Sequence, residues 1–272
     1  MPHSYPLHRS HAVFDASAAV LATSPGRELQ SRSATQRPIV VLDDGSEAGL
    51  NAARRAAFIG QSFGAPVSSL GDPRAQHGLA AGAGLLVTHL DSGWRPSQWL
   101  LGSRAEQLLR EFSIPVLVVK QPADRPYRRA LVGVKLDPRV SDLVAAARTL
   151  APRAQVNVVH VLDTSHEYSL RAADVPEAMV RAQRTRALGD AYRELNDRIS
   201  AAWVHESTGV AARVAVGHAP RRLLEMGGAA RAGLIVLGKR PRHWLADLLL
   251  DRGVARTLLA EAASDVLLVP AT

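Results

Sequence analysis

The sequence predicts an α/β protein built from two parallel-sheet units in tandem, the first four-stranded and the second five-stranded. Two stretches end alike, Gly102 to Val119 and Gly253 to Val269, each reading as a glycine turn, a three-turn amphipathic helix and an apolar strand. Short apolar runs alternate with stretches of helical period from residue 38 to residue 270. Valine-rich runs such as Gln155 to Leu162 suit strands covered on both faces.

Residues 1–37 are rich in Ser, His, Ala and Pro without a sustained period, and read as a flexible arm. His3, His8 and His11 lie there, but no acidic residue or further ligand frames them as a metal cluster. The first unit, residues 38–120, opens with the strand Pro38 to Asp43. Ser46 is placed to cap a helix from about Ala48 to Phe63, which Gly64 closes. A weak strand, Pro66 to Leu70, precedes the turn Gly71-Asp72-Pro73 and a poor helix through Ala81. The strand Gly84 to Leu90, a loop over Asp91 to Ser97, the helix from Gly102 and the strand Ile114 to Lys120 complete the unit.

Residues 121–128, with Pro122 and Pro126, form the linker. The second unit, residues 129–270, is expected to hold strands at Arg129 to Val134, Gln155 to Leu162, Val210 to Val216, Gly233 to Gly238 and Asp265 to Pro270. Between them come helices at Pro138 to Leu150, about Val175 to Val204, one after Gly217-His218-Ala219-Pro220, and one from Gly253. Five strands alternating with four helices imply right-handed crossovers. The turns Gly71-Asp72-Pro73 and Gly217-His218-Ala219-Pro220 correspond, so the first unit reads as lacking one helix–strand module, with an exposed flank that leans on its neighbour.

Composition excludes several classes. At 272 residues and 47% hydrophobic content the chain suits two globular domains, and no apolar run reaches the ~18 residues of a membrane helix. The patch Ala18 to Ala22 is too short for a signal peptide, so a cytoplasmic location is expected. Zero cysteines exclude disulfides, thiol catalysis and cysteine-ligated zinc. The net charge of +8 invites a nucleic-acid reading, but of 33 basic residues only Lys120, Lys135 and Lys239 are lysine, leaving 30 arginines scattered singly. That bias fits GC-rich coding better than a phosphate-binding stripe, so nucleic acid is not the expected partner.

Strand–Asp-Gly-Ser-Glu–helix at residues 44–47, Gly-Asp-Pro before a helix, and Leu-Gly-Ser-x-Ala-Glu before Pro-Val-Leu-Val-Val resemble the universal stress protein family. The resemblance runs over residues 38–270 in two copies. It implies Rossmann-like five-stranded sheets, similar to the adenine nucleotide alpha hydrolases, pairing of the two domains through their last strands, and a stress-response role. Some members bind ATP and some do not.

The family's ATP site combines an acid after the first strand, a valine-rich second strand, and a loop Gly-x2-Gly-x9-Gly-[Ser/Thr] whose backbone amides cradle phosphates. In the first unit Asp44 matches the acid and Gly102 and Ser103 the loop's end, but His89 and Ser92 stand where its first two glycines belong. Asp44-Gly45-Ser46 is equally a cap and turn, and Gly102-Ser103 a helix start. In the second unit Lys135 replaces the acid, Gly238 matches the first glycine, Pro241 the second, and Val254 follows Gly253 in place of the hydroxyl residue. What remains is the cationic loop Lys239, Arg240, Pro241, Arg242, His243, which either holds an anion beside the helix start at Gly253 or is a solvated basic loop.

Hydrolase-elbow, zinc-protease and P-loop motifs are absent. His160, on an apolar strand, reads as a satisfied edge histidine rather than a base. Trp94, Trp99 and Trp244 read as sheet-edge or inter-unit caps. The expectation is a non-enzymatic stress-response binding or regulatory protein with degenerate nucleotide sites, no catalytic residue, no metal and no resident cofactor. ATP or another phosphate-bearing ligand stays open, as do a protein partner of unknown identity and a homodimer. The alternatives are an ATP-binding member with weak ATPase or switching activity, and an anion- or nucleic-acid-binding module.

Overall fold

In the computed structural model, residues 37–70, 82–89, 114–202, 209–239 and 253–270 are described. The first 36 residues, the poor helix through Ala81, the loop at residues 91–97 with Trp94 and Trp99, the start of the helix at Gly102 and Ser103, and residues 240–252 lie outside them.

Four strands come from the first part of the chain: β1 (Ile39–Leu42), β2 (Val67–Leu70), β3 (Leu85–His89) and β4 (Val116–Val119). Helix α1 (Glu47–Phe63) follows β1. Its start is set by Ser46, whose hydroxyl accepts the Gly49 N–H at 3.0 Å. Its end is set by Gly64 at φ 66, a left-handed conformation that glycine adopts without a Cβ penalty. The spacing of Ala52, Arg55, Ala56 and Ile59 turns one stripe of α1 inward.

The rest of the chain supplies β5 (Arg129–Val134), α2 (Val140–Leu150), β6 (Gln155–Leu162), α3 (Ser165–Ala172), α4 (Glu177–Ala202), β7 (Val210–Val216), α5 (Ala219–Ala229), β8 (Leu234–Lys239), α6 (Val254–Glu261) and β9 (Asp265–Pro270). Five helices are described here where four were expected. The extra one is α3, short and polar, which Glu167 clamps to α4 through Arg184 while Arg171 reaches Glu177. Its apolar content is too low to produce a helical period, so only tertiary pairing reveals it.

All nine strands form one sheet in the order β2-β1-β3-β4-β9-β8-β5-β6-β7. Every pair is parallel except β4–β9, where Leu117 faces Leu267 in an antiparallel register. The strand order reverses between β1 and β3, and again between β5 and β8, so each half carries its own topological switch point. In open α/β sheets ligands sit at such points, beyond the carboxyl ends of the strands. The valine and leucine side chains of the central strands are buried on both faces, beneath α1 and α2 on one side and α5 and α6 on the other. No described helix is long and apolar enough to cross a membrane.

Candidate ligand-binding site

In the first half, β1 delivers Asp44 and β3 ends on His89, on either side of the switch point. Asp44 Oδ2 lies 3.3 Å from His89 Nε2, and Ser46 Oγ lies 3.4 Å from the same nitrogen. Asp44 Oδ1 also accepts the Ser46 N–H at 3.0 Å, and hydrogen bonds from Ser46 are the main cause that lowers the Asp44 carboxyl below its ordinary value. Both the acid and the residue at the first glycine position are therefore engaged with each other and with the helix cap.

In the second half, a cleft of about 180 Å³ opens between the ends of β5 and β8. Lys135, Asp137, Arg139, His160, Gly238 and Val254 line it. Two helices start at its wall: α5, whose Ala219 also lines the cleft, and α6, whose N-cap is Gly253. Neither cap residue makes a side-chain hydrogen bond to its helix, so the positive ends of two helix dipoles lie beside this space.

Arg139 is the residue that sequence reasoning missed. The N–H of Arg139 donates to Asp137 Oδ1 at 3.0 Å, a turn that starts α2. From there its guanidinium reaches across the crevice and Nη2 donates to the Val269 carbonyl at 3.2 Å. A Cβ on Gly238 would lie 2.9 Å from that Nη2 and 3.2 Å from Cζ. The glycine thus makes room for an arginine packed directly upon it. Nothing in the sequence spacing marks Arg139, because it follows Asp137-Pro138 and looks like an ordinary first-turn residue.

Lys135 is exposed at the end of β5, and among the described residues neither it nor Arg139 makes an ion pair. Lys239 ends β8 and is 6% exposed; burial lowers its ammonium to about 8. Asp137 is the one acid among the described residues of the wall, so these favour an anion. His160 corrects the expectation of an edge histidine. Its strand β6 runs between β5 and β7 inside the sheet, and His160 Nδ1 pairs with the Val134 carbonyl at 3.1 Å while the ring lines the cleft. Among the described residues no group of three or more His, Cys, Asp or Glu could hold a metal ion. Of the candidate residues, Lys135, Gly238 and the Gly253 helix start converge on this cleft, with Lys239 beside it; Asp44 belongs to the other switch point. Gly102, Ser103, Arg240 and Arg242 lie outside the described residues.

The sheet is doubly wound, with a basic, helix-flanked cleft at its switch point, and defines an α/β protein of Rossmann-like fold. A family model described as the universal stress protein family matches residues 126–270, more than half of the chain, and the chain belongs to that family. Its fold is similar to that of a universal stress protein from Archaeoglobus fulgidus DSM 4304, at 12% identity and a TM-score of 0.59, covering 86% of this chain and 96% of that one. It is also similar to a functionally unknown protein from Pseudomonas aeruginosa PAO1, at 18% identity and a TM-score of 0.57, covering 88% of this chain and 94% of that one. At such identities the likeness is one of fold. No curated protein matches the chain.

Proposed function

We propose that this chain is a non-enzymatic, cytoplasmic stress-response protein of two domains, residues 38–120 and 129–270, in which only the second keeps a ligand cleft. The ligand is a small phosphate-bearing anion, gripped by side-chain charge rather than by a glycine-rich backbone cradle. The observation that carries this reading is Arg139 laid over Gly238: the position where bare backbone would approach a phosphate is covered by a guanidinium. Lys135 and the two helix starts add positive potential to the same wall. The engagement of Asp44 by His89 supports a first domain without a nucleotide site.

Titration of the purified chain with ATP, with and without Mg²⁺, and with inorganic phosphate tests the reading. Micromolar or weaker binding that falls steeply with salt, and at least tenfold in Arg139→Ala, is expected, without turnover of ATP. ATP retained through purification at nanomolar affinity, or hydrolysis lost in Asp44→Ala, overturns it.

A further inference from the structure

A second cavity differs in character from both switch points. Helix α1 presents Arg55, Phe58, Ile59, Ser62 and Phe63 along one face, and α2 presents its last turn opposite. Between them runs a groove of about 1040 Å³, reaching to Arg128, Arg129 and Arg153. Ile59, Phe63 and Leu150 also line an adjoining slot of about 300 Å³, whose remaining wall is Ile39, Leu85, Leu267 and other small or apolar residues, with Arg37 at its border. The two spaces share those three side chains and are continuous in lining.

The chemistry is divided along this length. Among the described residues the slot is apolar apart from Arg37 and Thr149, and no carboxylate lines either space. Arg128, Arg129 and Arg153 are exposed, and among the described residues none of the three makes an ion pair. Several exposed arginines do pair with acids, Arg125 with Asp124 and Arg221 and Arg222 with Glu225 among them. Arg55, at the groove's inner end, is already satisfied by Asp265 and by the carbonyls of Pro122 and Arg125. Three cations thus line the groove that adjoins the apolar slot.

We propose that this groove is a second ligand site, for a long-chain carboxylate whose hydrocarbon tail lies in the slot and whose head group rests among Arg128, Arg129 and Arg153. The apolar lining of the slot suits a hydrocarbon chain. The arginine forks suit a carboxylate by bidentate hydrogen bonding. Each methylene moved from water into the slot tightens binding roughly fourfold, so affinity rises with chain length until the slot is full. The site shares no residue with the anion cleft, and the two fill independently.

Fluorescence enhancement of cis-parinarate by the full chain, and its displacement by laurate, myristate and palmitate, tests the proposal. One saturable site per chain, rising affinity from laurate to palmitate, and methyl palmitate at least tenfold weaker are expected. The exposed triple variant Arg128→Glu, Arg129→Glu, Arg153→Glu loses at least tenfold, and Leu150→Asp loses saturable binding, while ATP displaces nothing. Absence of saturable enhancement with the native chain, or native affinity retained both by the methyl ester and in the triple variant, overturns it. The triple variant changes only exposed side chains, so its result stands whether or not Leu150→Asp folds.

Discussion

Arg55 Nε stands 3.3 Å from Asp265 Oδ2, joining the first helix of the chain to its last strand at a point where the two side chains are 2% and 0% exposed. Around them the polar groups are shared closely. Asp265 Oδ1 accepts the N–H groups of Lys120 and Gln121 at 2.7 and 2.8 Å, and Oδ2 accepts the Tyr127 hydroxyl at 2.5 Å. The Arg55 guanidinium lies 4.6 Å from the Tyr127 ring centroid, and Lys120 Nζ donates to the Leu259 and Ala262 carbonyls. Asn51 holds Gln121 and Ala123 of the linker by two further bonds. The linker is therefore strapped to both halves.

Removing the hub of this network leaves a buried guanidinium and three donors without their acceptor. Asp265→Ala is expected to cost about 3–5 kcal/mol, the range for breaking a buried charge pair. Tyr127→Phe deletes one neutral donor and is expected to cost about 1–2 kcal/mol. Urea unfolding checks both, and equal losses for the two variants would show that Asp265 is not the hub.

Stability should respond to alkaline pH with a definite sign. Lys239 has an ordinary value of 10.5 and a folded value of about 8, so above pH 8 the unfolded chain binds more protons than the folded one. Stability then rises from about pH 8 toward 10, and burial of Lys120 acts in the same direction. Burial raises the Tyr127 hydroxyl well above 10, which reverses the trend above that pH. Lys239→Met is expected to lose most of the rise. Thermal unfolding across pH 7–10 measures it.

Two glycines separate packing from ligand binding. A Cβ on Gly133 would meet Leu237 Cδ2 at 2.8 Å and Leu223 Cδ1 at 3.1 Å, inside the core, so Gly133→Ala is expected to cost about 1–3 kcal/mol. A Cβ on Gly238 meets the far end of a long side chain, so Gly238→Ala should cost less than Gly133→Ala in the same denaturant series. It displaces Arg139, however, and anion binding should weaken as in Arg139→Ala.

At the first switch point the Asp44–His89 contact is half open to solvent, the Asp44 side chain being 53% exposed. Solvent screening limits such a pair to less than about 1 kcal/mol. Ser46→Ala removes the helix cap and is expected to cost about 1 kcal/mol. Because the Asp44 carboxyl is lowered, its small contribution is present above its ordinary value of 3.8 and is lost as the pH falls through that region. Urea midpoints at pH 7 and pH 3 compare the variant with the native chain.

The strands and their faces were legible in the sequence because parallel strands covered on both sides are written as apolar runs, as at Val116–Val119 and Val266–Val269. The cap at Ser46 and the stop at Gly64 were legible because one residue's chemistry fixes each. Arg139 on Gly238, His89 against Asp44 and Arg55 beneath Asp265 were not, since each is a meeting of residues from different strands or helices that no spacing encodes. Helix α3 escaped for the same reason: its partner, α4, stabilises it more than its own composition does.

The antiparallel join of β4 to β9 has an evolutionary corollary. When two identical subunits meet across a twofold axis, every substitution appears on both sides at once, so neither site can drift alone. Here the two halves are fused into a single polypeptide, and the join is made between unlike sequences. One half can set a histidine against its acid while the other keeps a basic cleft.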